Sequence, residues 1–115
     1  MQNRLKVAYD EIVAGRVRQV LKRRKGISER NMFGGIAFML NGNMVCGVNK
    51  KDLVLRLGEE RAAKALTEPN TREMDFTGKV LKSMVYVSPS GYKSDDALRA
   101  WVQRALDFAK TLPAK

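Results

Sequence analysis

The sequence predicts an α+β fold in two layers, an antiparallel sheet flanked by helices in the order α-β(3)-α-β(2)-α. Three observations predict it. Apolar residues recur at three- and four-residue steps near both ends of the chain, as one-sided helices require. Between them, the apolar runs 36–40 and 44–48 are joined by Asn41-Gly42-Asn43, a strong hairpin signal. Further short runs follow, separated by turn residues, as in a meander.

The first helix is expected over residues 3–24. Leu5, Ala8, Tyr9, Ile12, Val13, Val17 and Val20 form its apolar stripe, with Asn3 as N-cap and Asp10 and Glu11 in its N-terminal half. Gly15 costs about 1 kcal/mol in a helix interior, which points to a bend or tight packing there. Lys22, Arg23, Arg24 and Lys25 suit the negative end of the helix dipole, and Gly26 suits the C′ position. Residues 28–33 then read as a strand leading into Gly34-Gly35 and the hairpin. Asn49-Lys50-Lys51-Asp52 makes the next turn, and residues 53–57 return as a strand.

A short helix is expected over 59–67, burying Ala62, Ala63 and Leu66, and Pro69 ends it. Residues 72–82 show no period, although Gly78 marks a turn. Residues 83–88 read as a strand with Met84, Tyr86 and Ser88 on one face and Val85 and Val87 on the other. After the turn Pro89-Ser90-Gly91, Ser94 caps the last helix and Asp95-Asp96 fill its first turn. Its stripe is Leu98, Trp101, Val102, Ala105, Ala109 and Leu112, and Pro113 stops it.

Composition narrows the function classes. The 115 residues form one domain, 1–115, with 44% apolar content. The longest apolar run is five residues, far short of the roughly 20 that span a membrane, and no signal-peptide core develops. A cytoplasmic protein without a membrane partner is expected. One cysteine precludes an internal disulfide. The absence of histidine removes Cys/His zinc sites and the Ser-His-Asp and Cys-His catalytic sets. No cofactor or metal is expected.

The net charge of +10 is uneven, since residues 1–30 alone carry +6. Such an excess favours polyanions without sequence specificity. It concentrates in residues 16–25, with six cations and no acid. On a helical wheel Arg18, Lys22 and Lys25 lie within about 60° of one another, opposite the apolar stripe. They are the candidate contacts to nucleic acid or an acidic partner. Arg16 and Arg23 sit nearer the apolar side and are expected to lay their stems across it. A solvated helix face is the competing reading, and aromatic interleaving is missing from this run.

Other candidates reduce to structure. Gly34-Gly35 lacks the spacing, lysine and following helix of a phosphate loop, so a bulge or close backbone approach is expected. Cys46 sits mid-strand and reads as packing. Tyr9, Tyr86, Tyr92, Glu59-Glu60 and Asp95-Asp96 assemble no nucleophile–base set. The methionines, among them Met32, Met39, Met44, Met74 and Met84, read as core fillers before interface residues. Exposed strand edges leave a homodimer open.

Several of these residues carry a resemblance. Met32-Phe33-Gly34-Gly35, Phe38, Asn41-Gly42, Leu53-Val54-Leu55-Arg56-Leu57, Met74-Asp75-Phe76 and Val85-Tyr86-Val87 before Trp101 resemble the TfoX (Sxy) N-terminal-domain family, from about residue 5 to residue 113. The resemblance implies a two-layer α+β fold like that of secretion chaperones. It also implies a role in bacterial gene regulation, since full-length relatives are associated with competence genes. Those relatives carry a second, helical domain that resembles helix-hairpin-helix modules, which this sequence is expected to lack. The step Val80-Leu81-Lys82-Ser83 departs from a Pro-Met-Lys-Gly-like pattern in relatives, which implies a slightly different entry into the last strand. The expected function is a non-enzymatic module acting through contacts with a regulatory protein, with direct nucleic-acid binding as the alternative.

Overall fold

The computed structural model describes residues 9–32, 34–76 and 78–115. Six strands, β1 Ile27–Met32, β2 Gly35–Leu40, β3 Asn43–Asn49, β4 Asp52–Arg56, β5 Thr71–Phe76 and β6 Lys79–Val87, pair antiparallel in the order β1-β2-β3-β4-β6-β5. Helix α1 Glu11–Leu21 precedes β1, α2 Glu59–Ala65 follows β4, and α3 Asp95–Ala109 follows β6. The α+β class and the helix-flanked antiparallel sheet are as expected. Four strands precede α2, one more than the order α-β(3)-α-β(2)-α counts, because the segment read as a strand over 28–33 is a full member of the sheet, laddered along β2 from Ile27↔Leu40 to Met32↔Gly35.

The hairpin forms where its sequence demands. Asn41 and Gly42 have φ of 51° and 86°, the two positive angles of a tight hairpin turn, and Asn43 already belongs to β3. Gly34 has φ of 74°, and a Cβ on Gly35 would lie 2.1 Å from the Val48 carbonyl oxygen. The glycine pair is therefore a positive-φ turn followed by a close backbone approach, with no anion cradle needed to explain it.

Alternation along the strands divides the apolar residues between two clusters. Phe38, Leu53, Leu55 and Val85 pack with Val17 and Leu21 of α1 and with Leu98, Val102 and Leu106 of α3. Ala37, Met39, Met44, Val54, Met74 and Met84 form the other, methionine-rich cluster. Each buried aliphatic or aromatic side chain contributes roughly 1.5–3 kcal/mol.

The helices differ from expectation at their ends and in phase. Asp10, not Asn3, caps α1: its carboxylate accepts from the amides of Ile12 and Val13, at 2.9 and 3.1 Å. Tyr9 is bridged to Lys50, so no helix runs through it, and Asn3, Leu5 and Ala8 lie outside the described residues, as does Phe33. The helix ends at Leu21 with Lys22 as C-cap, so Gly26 serves the turn into β1 instead of the C′ position. With this shorter span the buried stripe is Val13, Ala14, Val17 and Leu21, and Ile12 points outward, 78% exposed. A Cβ on Gly15 would meet nothing within 4 Å, which rules out tight packing as the reason for glycine there.

In α2 the buried pair is Ala62 and Ala65, while Ala63 is exposed and Leu66 half-buried. The chain of residues 72–82 resolves into β5, a turn at Gly78 and the start of β6. Ser94 caps α3 as expected, its hydroxyl accepting from the Ala97 amide at 3.0 Å. Leu106 joins the buried stripe, and Leu112 lies beyond the helix because Thr111 and Leu112 bond three residues back, tightening the chain before Pro113.

Hydrogen bonds fix the direction of both long helices. The Asp10 amide donates to Lys50 O at 2.7 Å, and the Tyr92 hydroxyl donates to Lys51 O, so α1 and α3 both start beside the β3–β4 turn. At the other end the Asn41 amide donates to Gly26 O and the Lys115 amide to Asn41 O, each at 2.9 Å. Both segments finish at the β2–β3 turn.

Candidate partner-docking surface

The basic run 16–25 is divided by the fold into a held part and a free part. Arg16 is held most firmly. Its Nη2 donates to Tyr92 O at 3.0 Å, to Lys93 O at 3.1 Å and to Asp95 at 3.2 Å, and its guanidinium lies 5.6 Å from the Tyr92 ring centroid. The side chain is thus turned toward the body of the molecule and the entry of α3.

Arg18 is also engaged. Its Nε and Nη2 donate to both carboxylate oxygens of Glu29 on β1, at 2.7 and 2.9 Å. The two-point bond holds the Glu29 carboxyl below the usual carboxylate range and raises the Arg18 guanidinium. One acid thus neutralises the first member of the predicted trio.

Lys22 caps α1, and Lys25 stands in the turn before β1. A wheel drawn to residue 24 therefore does not describe their arrangement, since the helix has already ended. Lys22, Arg23, Arg24 and Lys25 are all exposed. Among the described residues, ion pairs engage Arg16, Arg18, Arg72, Arg99, Arg104 and Lys110, and none engages residues 22–25. The negative end of the α1 dipole favours cations here.

Lys115 joins this end of the molecule. A Cβ on Gly42 would lie 2.8 Å from the Lys115 Cβ, and Asn41 bonds both Gly26 and Lys115. Lys25 and Lys115 thereby flank one hairpin turn. Helical periodicity misses Lys115, which is brought in by the tail, and places Arg23 on the wrong side of a helix that ends before it.

The remaining polar candidates have structural partners. Cys46 is fully buried, and burial pushes its thiol up to about 12, so it is protonated at neutral pH. Asp95 pairs with Arg16 and Asp96 with Arg99. Burial raises the Tyr86 and Tyr92 hydroxyls, and Tyr86 lies under the Arg72 guanidinium at 4.5 Å. Glu59 and Glu60 fill the first turn of α2. Among the described residues no group of three or more His, Cys, Asp or Glu gathers for a metal ion, and no helix is long and apolar enough to cross a membrane.

No curated protein matches the chain. Residues 19–109 match the TfoX N-terminal domain, spanning the end of α1, the whole sheet, α2 and α3. That match covers most of the 115 residues, and the chain belongs to the TfoX N-terminal domain family.

Proposed function

We propose that this domain is a non-catalytic docking module of bacterial gene regulation. It works in the cytoplasm and contacts an acidic surface of a regulatory protein through Lys22, Arg23, Arg24 and Lys25. Family membership supports the regulatory setting, and the observation that carries the contact is the split of the basic run. Four successive cations stand exposed at one end of the molecule, while Arg16 and Arg18, which would extend them along the helix, are bonded internally.

A compact basic end suits a compact acidic patch. Duplex DNA offers a charge about every 1.7 Å of axis, so it is best met by a long stripe, and Glu29 interrupts that stripe at Arg18. Base stacking on single strands needs aromatic side chains that residues 16–25 lack. Direct nucleic-acid binding is therefore the second reading.

Cross-linked co-purification of the wild-type chain against Lys22→Glu/Lys25→Glu tests the proposal. The wild type is expected to retain a regulatory protein that the variant loses. Duplex titration supplies the opposing outcome: if three of these cations neutralise phosphates, log K falls with log salt at a slope of about −3. Such a slope, with protein recovery unaffected by the charge reversal, would replace the acidic-protein reading with the nucleic-acid one.

A further inference from the structure

Residues 12–51 carry nine lysines and arginines against one acid, Glu29. The fold brings that acid to the basic helix. Glu29 stands opposite Phe38 in the β1–β2 ladder, and Phe38 belongs to the core beneath α1, so the Glu29 side chain rises on the helix side of the sheet. There it meets Arg18.

Arg18 is fixed from two directions. Its guanidinium carbon lies 6.0 Å from the Phe38 ring centroid, and its Nε and Nη2 donate to the two Glu29 oxygens at 2.7 and 2.9 Å. A guanidinium grips two oxygens of a phosphate through the same kind of parallel pair of N–H bonds. Glu29 therefore occupies an edge of Arg18 that an external phosphate would use. A phosphate that displaced it would leave an unpaired carboxylate beside its own charge, and like charges repel.

The place of this pair gives it consequence. Arg18 precedes the C-cap Lys22 by one helical turn, so it adjoins the exposed cations 22–25. An open Arg18 would lengthen that basic end along α1, and a longer stripe meets more phosphates of a duplex. In stability the pair counts for little, because both partners are well exposed and solvent screens them. Its effect falls on what the surface binds.

We propose that Glu29 is a specificity-determining residue of the basic end: it withholds Arg18 from phosphate and so disfavours duplex nucleic acid. Specificity of this kind comes from an element set against the wrong partner. The assignment deepens the docking role of residues 22–25 and rests on it.

Titration of a short fluorescent DNA duplex over a salt series tests it, with the whole chain as wild type, Arg18→Gln, Glu29→Gln and the double variant. All four positions of charge change are exposed, so the variants are expected to fold, which circular dichroism checks. Glu29→Gln should bind the duplex more tightly than wild type at low salt. Adding Arg18→Gln should abolish that gain and flatten the slope of log K against log salt by about 0.9, the share of one phosphate. With Glu29 in place, Arg18→Gln should leave the slope unchanged. Glu73→Gln makes the same change of charge on the opposite edge strand, β5, and should bind like wild type. The docking role fails by a separate readout, the recovery of a regulatory protein that Lys22→Glu/Lys25→Glu does not lose. Three results would overturn the Glu29 assignment itself: Glu29→Gln binding no tighter than wild type, a gain that survives the loss of Arg18, or an equal gain in Glu73→Gln.

Discussion

Arg16 and Arg18 stand in the same basic run as Lys22, Arg23, Arg24 and Lys25, yet the fold uses the two groups differently. The first two fasten α1 to the molecule, Arg16 to the entry of α3 and Arg18 to the edge strand β1. The other four lie at and beyond the helix end and touch no carboxylate among the described residues. One stretch of like charge is thus partly scaffold and partly surface. A positive run becomes a candidate contact only after subtraction of the cations that neighbouring strands and helices already satisfy.

Substitutions along α1 should grade accordingly. Leu21→Ala, on the buried side just before the free cations, should cost about 2–5 kcal/mol in denaturant unfolding, because it empties a filled core position. A loss below 1 kcal/mol would mean that the last turn of α1 is not packed as described. Asp10→Ala removes the cap from two amides and should cost about 0.5–2 kcal/mol in the same measurement.

Glu29→Gln should cost less, at most about 1 kcal/mol, since Arg18 and Glu29 are both well exposed and solvent screens the pair. The sign of its pH dependence is fixed. The folded Glu29 carboxyl titrates below its unfolded value, so its stabilisation is present above the ordinary carboxylate range and is lost as pH falls through the folded value. Glu68, bonded to Arg104 at 2.8 and 3.1 Å, behaves in the same way. Acid titration of the wild type should therefore lose a small increment that Glu29→Gln no longer loses. Lys22→Glu/Lys25→Glu should change stability least, within about 0.5 kcal/mol, while removing the partner contact. A large stability loss there would place these residues with Arg16 and Arg18 in the scaffold.

The sheet is legible in the sequence because its signals are local. Asn41-Gly42 dictates a tight turn, and the alternation of Val85 and Val87 with Met84 and Tyr86 gives the face of β6. The ends of α1 are not legible in the same way. Its apolar period continues smoothly through Tyr9, but Lys50 bridges that residue from a distant turn, and no local pattern reports such a partner. The free end of the basic run is only half legible. Its cations are plain, whereas the loss of Arg18 to Glu29 depends on a contact across 11 residues, and the arrival of Lys115 on one between the last residue and the distant β2–β3 turn. Ala63 shows the same limit, because a two-turn helix offers too few residues for its period to settle which alanines face the core.

The division of the basic run is tested most directly by an amide-proton NMR titration of the whole chain with polyglutamate, a probe of acidic polypeptide surface. Perturbations are expected to centre on residues 22–26, Asn41 and Lys115, to leave the Arg16–Asp95 contact unmoved, and to vanish in Lys22→Glu/Lys25→Glu. Perturbations that centre on Arg16, or that persist unchanged in that variant, would contradict the assignment of residues 22–25 as the free, partner-binding end.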